Sequence, residues 1–125
     1  MKILMSNKNI NDATMALLIN FNDQKDLVLP IPLNFAIQKN LMELARQNEI
    51  IEKMRNDIGN KYGQLQNDNS YFIPEDKREV VSKELQQLMS LEQSVDIRKV
   101  HLKDLDGLQL TSQQMQALLF MIEEE

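Results

Sequence analysis

The stretch Pro32–Gly63, PLNFAIQKNLMELARQNEIIEKMRNDIGNKYG, decides the fold because its apolar residues follow a helical repeat along its length. The repeat has a period of seven and consists of Ile37, Leu44, Ile51 and Ile58, with Leu41 and Met54 beside it. Such a repeat keeps one helix face turned toward a partner helix. We therefore predict a single helix, about 45 Å long at 1.5 Å per residue, with a buried seam.

The segment LVLPIP, Leu27–Pro32, precedes this helix and contains two of the three prolines. Proline is favoured in the first turn of a helix, so we predict an extended segment and a helix that begins at Pro32 or Asn34. The alternative is a proline-rich ligand for an aromatic groove, which requires exposure. The apolar side chains here favour burial and therefore a helix start. At the other end, Gly63 is predicted to take the left-handed cap position.

Asn48 interrupts the seam at a position where an apolar residue is expected. A buried polar residue in such a stripe can fix the register of two helices at some cost in stability. An exposed gap near a bend is an equally good interpretation.

Two further helices are predicted before and after the long helix. Residues 2–5 suggest a short strand, and the following helix is expected to be capped by Asn11 or Asp12. Another helix restarts at Pro74 and continues to about Gln93. Together with the long helix it forms a predicted antiparallel hairpin, joined by a polar loop near Tyr71 and Phe72.

The last third of the chain changes period. Apolar residues alternate between Val95 and Leu102, which predicts a small sheet, and Asp106-Gly107 predicts a turn. Thr111 and Gln114 form a capping box for a closing helix. That helix is expected to bury one side, consisting of Met115, Leu118, Leu119 and Ile122. The predicted fold is one mainly α (α+β) domain, residues 1–125: a long antiparallel helical hairpin, N- and C-terminal helices, and a small β-sheet.

Composition excludes several classes of protein. The chain has no cysteine, which excludes disulfides, thiolate catalysis and cysteine zinc sites. Its net charge of −5 counts against general electrostatic binding of nucleic acid, although Lys77–Lys83, KREVVSK, supplies a small basic patch. No apolar run is long enough to span a bilayer, and none follows the first residues as in a signal peptide. We expect a cytoplasmic protein with no membrane association.

Motifs for catalysis or for cofactor and metal binding are lacking. His101 is the only histidine, and its alternating neighbours predict a surface or half-buried strand residue. Asp104–Gly107, DLDG, lacks the remaining ligands of a calcium loop and is better interpreted as a turn. No glycine-rich phosphate loop is present. We therefore predict a protein that is not an enzyme and uses no cofactor or metal.

Two groups of residues are candidates for binding a protein partner. Tyr71 and Phe72 are aromatic residues expected at the tip of the hairpin, where they can anchor a partner or pack under the loop. Glu123, Glu124 and Glu125 are predicted to oppose the dipole of the closing helix. Either this end frays or a basic partner neutralises it.

Two blocks of the sequence resemble a family of small phage and prophage proteins that is catalogued only as a domain of unknown function. Leu29–Gly63 resembles the family's long-helix block, and Val95–Ile122 resembles its closing block of strand, turn and helix that ends in Phe-Met-Ile. The blocks occur in the family's order, while the segment between them departs from the family pattern. The resemblance implies a phage origin and transfers no catalytic residue.

Three functional hypotheses follow from these observations. The first is a phage-encoded, non-catalytic protein that binds a host defence or regulatory factor in the bacterial cytoplasm. The second is a minor virion, tail or assembly component, in which the seam could also join copies of the chain into a homo-oligomer. The third, which the charge disfavours, is a nucleic-acid-binding regulator.

Overall fold

The computed structural model describes residues 1–24 and 26–123 of the chain. Helices and short strands alternate along these residues. They are β1 (Lys2–Ser6), α1 (Asn7–Leu17), α2 (Ile31–Tyr62), β2 (Gln64–Leu65), β3 (Tyr71–Phe72), α3 (Arg78–Ser90), β4 (Glu92–Asp96), β5 (Val100–His101), α4 (Ser112–Leu118) and β6 (Ile122–Glu123). The predicted class, mainly α with a small β component, is confirmed.

The long helix predicted from the seven-residue repeat is confirmed as α2. It begins after Pro30, carries Pro32 in its first turn and runs for 32 residues. Gly63 ends it, but with φ at −133° its backbone is extended, so the predicted left-handed cap is wrong. Glycine is required there for another reason: a Cβ on Gly63 would lie 2.6 Å from the carbonyl oxygen of Phe72.

The seam of α2 forms the centre of the core over its first two thirds. Ile37, Leu44 and Ile51 are each 0% exposed, so they line one buried face as predicted. Beyond Ile51 the seam leaves the core, because Ile58 is only partly buried and Met54 is 43% exposed. The helix is thus longer than the layer of side chains packed against it.

Two helices cover the seam, whereas the sequence predicted only one. α1 lies against α2, and α3 contacts both of them. α1 and the π-helical turn that follows it bring Ile10, Leu17 and Phe21 into the core. From Ile37 to Ile51 the seam is covered from within the monomer, so this part of it offers no free surface to a second copy of the chain.

α1 begins earlier than predicted. Ser6 is its N-cap, and the Ser6 hydroxyl accepts a hydrogen bond from the Asn9 N–H at 3.1 Å. The predicted caps, Asn11 and Asp12, lie inside the helix. Serine is as good an N-cap residue as asparagine or aspartate, and Ser6 is the last residue of β1, directly before the helix.

α2 and α3 form the predicted antiparallel hairpin, but α3 is shorter than expected. Lys61, near the end of α2, lies 3.7 Å from Glu84 of α3. Met54, which is earlier in α2, lines the same groove as Leu91, which is later in the chain than Glu84. The two helices therefore run in opposite directions. α3 ends at Ser90 rather than near Gln93, because Leu91 is extended, with ψ at 143°.

A fully buried asparagine joins α2 to the strands. Asn40 is 0% exposed, and its side-chain amide donates to the carbonyl oxygen of Arg98 at 3.0 Å. Its side-chain oxygen accepts a hydrogen bond from the Arg98 N–H at 2.8 Å. Asn48, the polar residue noted from sequence, is only partly buried, and its side-chain oxygen has no hydrogen-bond partner among the described residues.

The strands form three separate pairs instead of one small sheet. β1 and β4 are antiparallel, β2 and β3 form a short hairpin where a loop was predicted, and β5 and β6 are parallel. Leu102, predicted in a strand, begins a 3₁₀ turn instead. Strand pairing is decided by partners distant in sequence, which the alternation of apolar residues does not specify.

The closing helix starts as predicted and ends sooner. Both hydrogen bonds of the capping box between Thr111 and Gln114 are present. α4 ends at Leu118, which is fully buried, whereas Leu119 is 61% exposed, so the predicted burial of Leu119 is wrong. Glu123 therefore lies in a strand and not at a helix terminus, and the argument from the helix dipole does not apply to it.

Replacement of seam residues should destabilise the fold. Leu44→Ala and Ile51→Ala remove buried volume from the core, and each should lower the free energy of unfolding by about 2–5 kcal/mol. Met42→Ala, on the exposed side of the same helix, is the control and should change it by less than about 0.5 kcal/mol. Urea unfolding measures all three. Equal effects of the three substitutions would contradict the assignment of the buried face.

The hydrogen bonds of Asn40 should contribute as much to the free energy of unfolding as a side chain of the apolar seam. Asn40→Leu keeps a similar volume but leaves two backbone groups of Arg98 without partners, at about 1–3 kcal/mol each. We expect a loss of about 2–5 kcal/mol in thermal or urea unfolding. Asn56→Leu, at an exposed position of α2, is the matched control. An Asn40→Leu protein as stable as this control would show that the two hydrogen bonds contribute nothing.

Candidate protein-binding surfaces

An apolar groove lies between the last third of α2 and the end of α3. We call it the α2–α3 groove; its volume is about 630 Å³. It is lined by Met54, Ile58, Glu84, Gln87, Leu88, Ser90 and Leu91. The floor is apolar and largely buried, since Leu88 is 4% exposed, while Met54 and Leu91 on the rim are 43% and 57% exposed.

The groove exists because a single helix lies beside the end of α2. α3 runs antiparallel to it, with Glu84 3.7 Å from Lys61, whereas α1 begins at Asn7 beside Leu88 and Leu91 at the end of α3. Met54 and Ile58 continue the pattern of the seam into this part of α2, which α3 covers on one side only. The groove thus follows from an apolar repeat that continues beyond α1.

The rim residue Leu91 is held in place by its backbone. Its carbonyl oxygen accepts a hydrogen bond from the Asn7 N–H at 2.8 Å, and the Asn7 side-chain amide donates to the carbonyl oxygen of Leu88 at 2.7 Å. Asn7 is itself buried, at 4% exposure. An apolar side chain on a backbone fixed in this way can be covered by a partner at little cost in conformational entropy.

One carboxylate lies in the wall of the groove. Glu84 Oε1 is 3.7 Å from the ammonium of Lys61, while Glu84 Oε2 is buried and has no hydrogen-bond partner among the described residues. The Tyr62 side chain, and then the charge of Glu84, raise the pKa of Lys61 above its ordinary value. The Glu84 side chain is 28% exposed, so its carboxylate gives the wall of the groove a negative charge.

The predicted aromatic pair does not form a joint anchor. Tyr71 is partly buried and its ring lies directly over Gly59 of α2, where a Cβ would come within 2.7 Å of the ring. Phe72 is 55% exposed. Successive strand residues point to opposite faces, so the two rings are directed apart. Tyr71 holds the β2–β3 hairpin against α2, and Phe72 alone faces outward.

The turn of this hairpin is fixed by local hydrogen bonds. The Asp68 carboxylate accepts hydrogen bonds from the hydroxyl of Ser70 at 2.6 Å and from its N–H at 3.1 Å. The bond from the hydroxyl, and then that from the N–H, lower the pKa of Asp68 below its ordinary value. Asn69 between them has φ at 67°, a conformation that asparagine tolerates in turns.

Of the three predicted C-terminal glutamates, Glu123 lies in the described part of the chain, and Glu124 and Glu125 lie outside it. Glu123 faces His101 across the parallel pair of β5 and β6, with Oε2 3.9 Å from the imidazole Nδ1. His101 is a partly exposed strand residue, as predicted. The two side chains line a hollow of about 330 Å³ that is separate from the α2–α3 groove.

Of the residues predicted to bind a partner, Tyr71, Phe72 and Glu123 do not line the α2–α3 groove, and sequence reasoning missed the groove. The sequence pattern predicts Met54 in the seam and Leu91 in the continuation of α3. The signal that could have revealed the groove is the mismatch between a helix with four seam repeats and the shorter segments available to cover it.

Within residues 1–24 and 26–123, no helix is long and apolar enough to cross a membrane, and no three His, Asp or Glu side chains are grouped to hold a metal ion. No protein-family model, curated protein or solved structure matches the chain. The proposed function therefore rests on the surfaces of the described residues.

The contact between Tyr71 and Gly59 should reverse the usual effect of a helix substitution. Alanine is favoured over glycine inside a helix by about 1 kcal/mol, but its Cβ would collide with the Tyr71 ring. We therefore expect Gly59→Ala to lower the free energy of unfolding by about 1–3 kcal/mol.

The same substitution in a Tyr71→Ala background provides the control. With the ring removed, Gly59→Ala should be neutral or stabilising, so that urea unfolding of the four proteins gives a coupling between the two sites. A single Gly59→Ala protein that is more stable than the parent would contradict the contact.

Proposed function

We propose that this protein is a phage-encoded, non-catalytic protein that acts by binding a protein partner through the α2–α3 groove, and that the partner is a host defence or regulatory factor. The observation that carries the proposal is the groove itself. It combines a buried apolar floor with exposed apolar rim residues on fixed backbone. Such grooves receive the apolar face of an amphipathic helix in many complexes.

The side chains that line the groove indicate which kind of ligand would fit it. Met54, Leu88 and Leu91 would take up two or three apolar side chains on one face of a helix. Glu84 would attract a lysine or arginine of that helix, because its partly exposed carboxylate puts a negative charge in the wall of the groove. We therefore expect a basic amphipathic segment, which also suits the net charge of −5.

The phage origin in this proposal is supported by the resemblance of Leu29–Gly63 and Val95–Ile122 to the phage family described above. A host factor as partner, and the bacterial cytoplasm as location, follow from that origin. The lack of catalytic and metal-binding motifs in the sequence supports a binding role over an enzymatic one.

A minor virion or assembly component is the second candidate. It is favoured by further exposed apolar residues on α2, namely Ile31, Phe35 and Met42, at 84%, 52% and 73% exposure. A protein with two apolar surfaces on one helix can join two neighbours in an assembly. Detection of the protein in purified virions would support this candidate over a host-directed role.

Charged substitutions on the rim should separate binding from folding. Met54→Asp and Leu91→Asp place a charge at the centre of the proposed interface, and each should weaken capture of the partner from host lysate by about tenfold or more. Both residues are exposed, so circular dichroism and thermal unfolding should remain close to those of the parent.

Three variants outside the groove are the controls. Leu65→Asp introduces the same charge at a position that is 58% exposed on β2, and it should capture the partner normally. Glu123→Lys and Phe72→Ala test the surfaces predicted from sequence. Loss of capture in these variants, with full capture by Leu91→Asp, would place the interface elsewhere. A folded His101→Ala protein without biological activity would contradict the non-catalytic role.

A further inference from the structure

A second apolar surface lies on the side of α2 that faces away from the core. We call it the outer face: Ile31, Phe35 and Met42, which are 84%, 52% and 73% exposed. They are spaced by four and seven residues, so they lie in one row along the helix. Sequence reasoning expected Val28 and Ile31 to be buried, but Val28, which precedes α2, is 88% exposed and Ile31 is 84% exposed.

Cations border this row. Lys39 and Arg46 are exposed and are seven residues apart on α2, so they lie along one flank of the outer face. The guanidinium of Arg98, which follows β4, lies 5.0 Å from the centre of the Phe35 ring. The aromatic ring and the guanidinium thus form a combined apolar and cationic patch.

Two adjoining hollows, of about 380 and 350 Å³, run beside the row and share Lys39 and Asp96 in their walls. Their charged side chains are the cations Lys39, Arg46, Arg98 and Lys99 and the carboxylates Glu43 and Asp96. Glu43 is already paired with Arg46 at 2.6 Å. Lys39 has no ion pair among the described residues. In a chain of net charge −5 this surface is locally positive.

We propose that the outer face binds an acidic amphipathic helix from a partner protein. The spacing of Phe35 and Met42 matches the repeat of a helix packed along α2. Lys39 and Arg46 occupy the flank where coiled-coil partners place opposite charges. Charge complementarity therefore selects an acidic helix, in contrast to the basic segment that suits the α2–α3 groove.

This inference does not depend on the groove, because the two surfaces lie on different parts of α2. Met42 and Met54 are twelve residues apart, which corresponds to about 18 Å along a helix. Both surfaces can thus be occupied at the same time, and the protein would act as an adaptor between an acidic and a basic partner.

The test uses the full chain and a synthetic peptide of repeated heptads with Leu at a and d and Glu at e and g. We expect binding in fluorescence anisotropy at low ionic strength, and weaker binding as salt is added. Lys39→Glu combined with Arg46→Glu should weaken it by about tenfold or more. Phe35→Ala combined with Met42→Ala should weaken it similarly, without a change in salt dependence.

The control variant, Lys8→Glu combined with Lys77→Glu, makes the same change in net charge away from the outer face and should bind the peptide normally. Control ligands are the same peptide with Lys at e and g, phosphatidylglycerol vesicles and single-stranded oligothymidine. The inference is overturned if the folded parent does not bind the acidic peptide, if the control variant loses binding equally, or if any control ligand binds as tightly through Lys39.

Discussion

The fold depends on two hydrogen bonds made by one buried side chain. Asn40 binds both the N–H and the carbonyl oxygen of Arg98, and its amide nitrogen also lies 3.4 Å from the sulfur of Met121. Three segments distant in sequence therefore meet at one point: α2, the link between β4 and β5, and the turn that precedes β6. A backbone that leaves a strand needs partners for its polar groups, and inside a core a side chain must provide them. This requirement positions β4, β5 and β6 relative to α2.

With its first part fixed by Asn40 and the seam, α2 acts as the support on which the other elements are arranged. α1 and α3 both pack against α2, but only α3 lies beside the end of the helix, where Glu84 faces Lys61. The apolar repeat nevertheless continues to Ile58. The α2–α3 groove therefore lies where this repeat is covered by α3 on one side only.

The sequence could predict features whose causes are local. The seven-residue repeat of α2 and the capping box of Thr111 depend on residues within a few turns, and both are present. The role of Asn40 could not be predicted, because its partner lies 58 residues away and nothing around it marks the position as buried. The parallel pairing of Glu123 with His101 was hidden in the same way. For the groove, the sequence predicted the approximate lengths of the helices, but it could not predict how they are positioned relative to one another.

The two apolar surfaces of α2 differ in how they became available. Met54 and Ile58 continue the buried face of α2 and are exposed to the groove because α3 covers them on one side only. Phe35 and Met42 lie on the opposite side of α2, where no internal element requires them to be apolar. A residue such as Met42, at 73% exposure, gains nothing from burial in the monomer. Between the two surfaces, Leu44 and Ile51 are completely buried and fix the helix in the core. A ligand on one surface therefore cannot displace the helix under the other without breaking that core, so the two binding events should be energetically independent.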